Sequence, residues 1–111
     1  MIVSGSLVIV HLINPTEKFW GVLHELGTAG LVMRGLNVST FDDWMAQAAR
    51  GETQTLGLST MFVPLFRVER IFLDEAVGVV ESYRQRFERR VGMTVERYLN
   101  LGDEDSSEVP S

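Results

Sequence analysis

The segment Met61-Phe-Val-Pro-Leu-Phe-Arg-Val-Glu-Arg-Ile-Phe-Leu-Asp-Glu75 constrains the fold most, because it reads as a strand, a tight turn and a second strand. Thr60 to Val63 has strand character. Pro64 ends its pairing, since proline brings no N–H to a ladder, and Val68 to Leu73 is the last strand. Near the N-terminus, Leu7-Val-Ile-Val-His-Leu-Ile13 is apolar on both alternating faces, the pattern of a strand covered on both sides. The two segments together predict a small β fold rather than a helical bundle or an α/β enzyme.

Between them the chain punctuates itself. Asn14-Pro15-Thr16 is turn chemistry, Phe19 to Leu26 a second strand, Gly27-Thr28-Ala29-Gly30 a turn, and Leu31 to Val38 a third strand with Gly35 at an expected bulge or sharp bend. Ser39 or Thr40 offers an N-cap to a helix ending at Gly51. Asp42 and Asp43 fall in its first turn, and Phe41, Trp44, Met45 and Ala48 form one apolar stripe. Glu52 to Ser59 is polar and predicts a mobile loop. After Glu75 the period changes: Val77, Val80, Tyr83 or Arg84, Phe87 and Val91 predict an amphipathic helix ending at Gly92, and Thr94 caps a short helical turn. The expected organisation is one domain over residues 1–101 and a disordered acidic tail over residues 102–111.

Composition removes whole classes of function. The chain of 111 residues has no cysteine, which excludes disulfides, thiolate catalysis and cysteine-held zinc or iron–sulfur sites. The longest apolar run, Leu7 to Val10, is too short for a membrane span, and no basic residue precedes it as in a secretory signal. A cytoplasmic location without membrane contact is the expectation. The net charge of −5 disfavours nucleic acid, although five of the ten basic residues lie between Arg84 and Arg97, interleaved with Glu88 and Glu96. These arginines are expected to pair at i,i+4 with Glu81, Glu88 and their neighbours.

No motif supplies catalysis. Asp42 and Asp43 are adjacent on a helix and point in different directions, so they cannot share a proton. Ser4, Ser6, Ser39 and Ser59 lack a nucleophile-elbow setting, and Gly27-Thr-Ala-Gly30 lacks the Gly-Lys-Ser/Thr ending of a phosphate loop. His11 and His24 are the only histidines. Pairing of the first two strands is expected to set His11 opposite about Gly21 and His24 opposite about Val8, apart from each other, so no metal site and no cofactor is expected.

Three meander strands, an inserted helix and two strands joined by a tight turn resemble the SH3-like small barrels, and more particularly the Sm-like family of RNA-binding proteins. The first Sm motif is similar to Leu7-x-Ile9, Gly21-x-Leu23 and Leu31, and the second to Phe62 through Leu73. The resemblance implies a strongly bent five-stranded antiparallel barrel, here mostly β with an inserted and a C-terminal helix. Where the family places base-holding Asp and Asn, this chain reads Glu25-Leu26-Gly27-Thr28. Where the family has Arg/Lys-Gly or His, it reads Leu65-Phe66-Arg67.

A small barrel takes inward side chains from one face of each strand only, so the apolar surplus on the first two strands needs covering, by the helices or by another copy of the chain. The resulting expectation is a non-catalytic binding or scaffolding module, a homo-oligomer held by strand edges and apolar faces. Trp20, Val22, Phe66 and Phe72 are its expected structural or interface residues. Arg34, Arg67 and Arg70, beside aromatic neighbours, are the expected ligand or nucleic-acid contacts. The alternatives are an Sm-like RNA-binding oligomer and a small-molecule or metal pocket at a subunit interface.

Overall fold

The structure is a computed structural model that describes residues 1–51 and 56–100. The chain divides into two compact units, Met1–Asp74 and a second beginning at Glu75. The first contains β1 (Leu7–Leu12), β2 (Glu17–Leu26), β3 (Gly30–Asn37), α1 (Phe41–Arg50), β4 (Ser59–Pro64) and β5 (Val68–Leu73). All neighbouring strands are antiparallel, in the order β4-β3-β2-β1-β5. Mixed β with helices is thus the fold class, and because the sheet is not closed the word barrel fits it only loosely. β4 gives its hydrogen bonds to β3 and β5 gives its own to β1, so the two strands joined by the tight turn become opposite edges.

Alternation along the strands builds the inner core. Val8, Val10, Leu12, Leu23, Leu31, Met33 and Val63 are buried together, with Ile2, Phe19, Met61, Val68 and Ile71 packed against them. Each such side chain withdrawn from water contributes roughly 1.5–3 kcal/mol. On the other face Trp20 is covered by α1: its ring meets Phe41 at 5.0 Å and Trp44 at 5.7 Å between centroids. The stripe Phe41, Trp44 and Met45 is the buried side of α1, Asp42 and Asp43 sit in its first turn, and Gly51 closes it with φ 67°.

Several local expectations are corrected. Thr40 occupies the N-cap position of α1 but makes no side-chain cap hydrogen bond there, its hydroxyl donating to the Asn37 carbonyl at 2.8 Å. The side chain of Asn37 instead accepts the Ser39 N–H at 2.9 Å and starts a 3-10 turn, Val38–Thr40, that leads into the helix. Gly35 is no bulge but pairs regularly with Gly21 and Ser59. A Cβ on Gly21 would run into the Arg34 carbonyl and the Gly35 Cα, so close approach of β2 and β3 requires the glycine there. The extra residue in β2 is His24, skipped between the pairs Leu23↔Met33 and Glu25↔Val32. A second irregularity passes over Glu69: Leu12 faces Val68 and His11 faces Arg70.

In the second unit the helix expected from Val77 begins only at Tyr83 and runs to Val91 as α2. Val77 and Val80 instead exchange backbone hydrogen bonds at 3.0 Å across a turn in which Gly78 takes φ +60°. Ser82 caps α2 and Gln85 reciprocates, a complete capping box, and Gly92 ends it with φ 88°. Thr94 accepts the Arg97 N–H at 3.1 Å at the start of helical residues 95–100, and Phe87 meets Tyr98 at 5.3 Å. Arg89 pairs with Glu81 at 3.0 Å and Arg84 with Glu96 at 3.5 Å. Residues 52–55 of the expected mobile loop, and the whole expected disordered tail, lie outside the described residues. Among the described residues no helix is long and apolar enough to cross a membrane.

Candidate functional site

Register brings one polar constellation together on the outer face of the sheet. His11 of β1 stands opposite Lys18 of β2 on one side and Arg70 of β5 on the other. Directly opposed residues share a face with Cβ atoms about 5 Å apart, so three strands present three nitrogen bases in one row. One pair further along β1 the row is Phe72, Ile9 and Trp20. Phe72 forms the apolar flank of the bases: its centroid lies 4.9 Å from the His11 ring and 5.9 Å from the Arg70 guanidinium carbon.

The electrostatics arise from that row. Partial burial pushes the His11 pKa below its ordinary 6.5, the Lys18 and Arg70 charges push the same way, and Glu69 opposes them. Glu69 holds Arg70 at 3.3 Å in a largely exposed pair. Lys18 is exposed at the outer end of the row.

The other expected contact residues lie elsewhere. Arg34 is half-buried on β3, opposite Val22 and Thr60, and separated from Arg70 by β2 and β1. Arg67 tethers the β1–β2 turn: its side chain donates to the Ile13 carbonyl at 3.0 Å, the Pro15 carbonyl at 2.7 Å and the Glu17 carboxylate at 3.0 Å. Trp20 is wholly buried inside the chain and Val22 half-buried, whereas Phe66 is 82% and Phe72 43% exposed. The structure therefore joins Arg70 and Phe72 to each other and leaves Arg34 and Arg67 apart.

Phe66 is presented by a 3-10 turn, Leu65–Arg67, fixed at both ends. The Leu65 N–H donates to the Ala29 carbonyl at 3.0 Å, and Ile13 donates to the Arg67 carbonyl at 2.8 Å. Beside it, Phe62 of β4 lies over Gly30, where a Cβ would come within 2.8 Å of the ring, yet it stays 58% exposed. An open hollow of about 280 Å³ lies between Phe62 and the β2–β3 turn, with Glu25 its one ionisable side chain. Among the described residues no three His, Asp or Glu side chains come together. Sequence reasoning missed His11 and Lys18 as members of a site. Their signal is the β1–β2 register, displaced from the expected one because Val8, rather than His11, faces Gly21.

Comparison with protein-family models, with curated proteins and with solved structures finds no match to this chain. Fold and surface define a small antiparallel sheet domain with an exposed aromatic turn between its edges and a basic row on its outer face.

Proposed function

We propose that this chain is a non-catalytic binding module of the cytoplasm that self-associates through β4, the Leu65–Arg67 turn and β5. The observation that carries the reading is Phe66, a large apolar side chain held in solvent on a turn tied down at both ends. Such a ring loses little conformational freedom on binding, which is what makes buried aromatics the anchors of interfaces. Phe62 and Leu65 extend the apolar surface on the same segment. The backbone edges of β4 and β5 are complementary templates, and β4 of one copy against β5 of the next continues the sheet head to tail. The strand order and the short turn between the edges also support the reading of the sheet as SH3- or Sm-like in architecture.

Light scattering coupled to size-exclusion chromatography tests the proposal. The expected result is a discrete multiple of the chain mass for the wild type and a monomer for Phe66→Asp, whose exposed position leaves the fold intact. A wild-type monomer at every concentration would exclude self-association.

A further inference from the structure

We infer that the outer face formed by Lys18, His11 and Arg70 binds a phosphate group, and that Phe72 positions two of its three donors. This reading does not rest on self-association, since its observations are the side-chain row across β2, β1 and β5 and not the Phe66 turn.

The first argument is electrostatic. Lys18 and Arg70 each stand directly opposite His11 on its two neighbouring strands, so protonation of the imidazole sets like charges opposite one another, an arrangement that destabilises a sheet unless an anion is present. The chain as a whole carries −5, so a concentration of positive charge here is a local feature and no reflection of composition. Glu69 is the one carboxylate acting on His11, and it is engaged side-on with Arg70 in an exposed pair that a competing anion displaces at little cost.

The second argument is geometric. Adjacent strands are about 4.8 Å apart, so the row covers about 10 Å, within reach of the long Lys18 and Arg70 side chains closing over His11. Three donors in one row, the outer two on long side chains that can close over the middle one, suit a tetrahedral oxyanion, which offers three oxygens while its fourth substituent points to solvent. Arginine and lysine donate charge-assisted bonds to phosphate, and protonated imidazole adds a third. Phe72 limits the freedom of both the imidazole and the guanidinium.

The His11 proton supplies the readout. The groups facing it are Lys18 from β2 and Glu69, Arg70 and Phe72 from β5. A bound anion favours the imidazolium, so binding tightens as pH falls through the titration of His11.

The experiment titrates the full chain at low ionic strength with inorganic pyrophosphate while the His11 ring resonances are followed by NMR. Saturable movement of those resonances and a higher His11 pKa in the complex are expected, with binding about tenfold weaker in Lys18→Gln and in Arg70→Gln. Both substitutions are at exposed positions, and far-UV circular dichroism verifies the fold. Arg89→Gln serves as a control that leaves binding unchanged. A short oligouridylate in a parallel arm identifies the source of the phosphate: tighter saturation of the same resonances points to nucleic acid, and a response to pyrophosphate alone to a small ligand. An unmoved His11, wild-type affinity in the Lys18 and Arg70 variants, or stronger binding of polyglutamate than of pyrophosphate overturns the inference.

Discussion

The indole N–H of Trp20 donates to the carboxylate of Asp74 at 3.0 Å, a buried hydrogen bond between residues 54 positions apart. It joins the centre of β2 to the residue that leaves β5, while the Asp74 N–H continues the ladder to the Leu7 carbonyl at 2.9 Å. Removing the acceptor strands a buried donor, which costs about 1–3 kcal/mol. Asp74→Ala is therefore expected to lose that much stability in urea unfolding, and Asp74→Asn, which keeps an acceptor oxygen, less. Both tryptophans belong to the first unit, so their fluorescence reports on it directly. Equal stability of wild type and Asp74→Ala would show that the bond is energetically idle.

A methyl group separates two glycines that look alike in sequence. At Gly21 a Cβ collides with backbone of β3, whereas at Gly27 its nearest neighbour is the Gly30 carbonyl at 3.8 Å. Gly21→Ala is expected to lower stability by about 1–3 kcal/mol through forced displacement of β3. Gly27→Ala should remain within about 0.5 kcal/mol of wild type. Thermal melts of the two variants side by side decide the matter.

Arg67 is expected to act through order in the turn. Its guanidinium satisfies two carbonyls and a carboxylate around residues 13–17, and a lysine ammonium cannot reproduce that fork. Arg67→Lys should speed amide hydrogen exchange in the β1–β2 turn and in the 65–67 turn, and cost about 1–2 kcal/mol. Protection unchanged in both turns would mean that the backbone holds them without the side chain.

Stability should depend on pH through His11. Burial first, then Lys18 and Arg70, lower its folded pKa below 6.5 against the pull of Glu69. The unfolded chain therefore binds more protons at this site than the folded one across the window just below 6.5. Stability rises with pH there, is complete above it, and is lost as pH falls into it. Denaturation midpoints are expected to fall between about pH 7.5 and about pH 5.5, and His11→Gln should flatten that slope. An identical slope in the variant would assign it to other groups.

Much of the fold was legible because local chemistry decides it. A β-branched run apolar on both faces placed β1, Gly51 ended α1 where a left-handed residue was needed, and the Phe41, Trp44 and Met45 stripe named the buried side of that helix. The illegible part depends on partners distant in the chain. Nothing around His24 or Glu69 distinguishes a bulged residue from a paired one, yet each shifts the next residues of its strand to the opposite face. The Val77 and Val80 spacing imitates a helix until Gly78 turns the backbone the other way. The basic row was hidden for the same reason: Lys18 joins His11 only once the register is known, and Arg70 only once Glu69 is passed over. Arg67 read as a ligand contact because a sequence does not show which carbonyls stand nearby.

The outer side of the sheet serves two purposes without mixing them. Beneath α1 it is sealed by Trp20, Phe41 and Trp44, and toward the β1–β2 turn it is open and ionic. None of Lys18, Arg70 and Phe72 belongs to the inner core cluster. The chemistry of the open half is therefore editable residue by residue, by selection or by an engineer, while the sealed half keeps the scaffold constant.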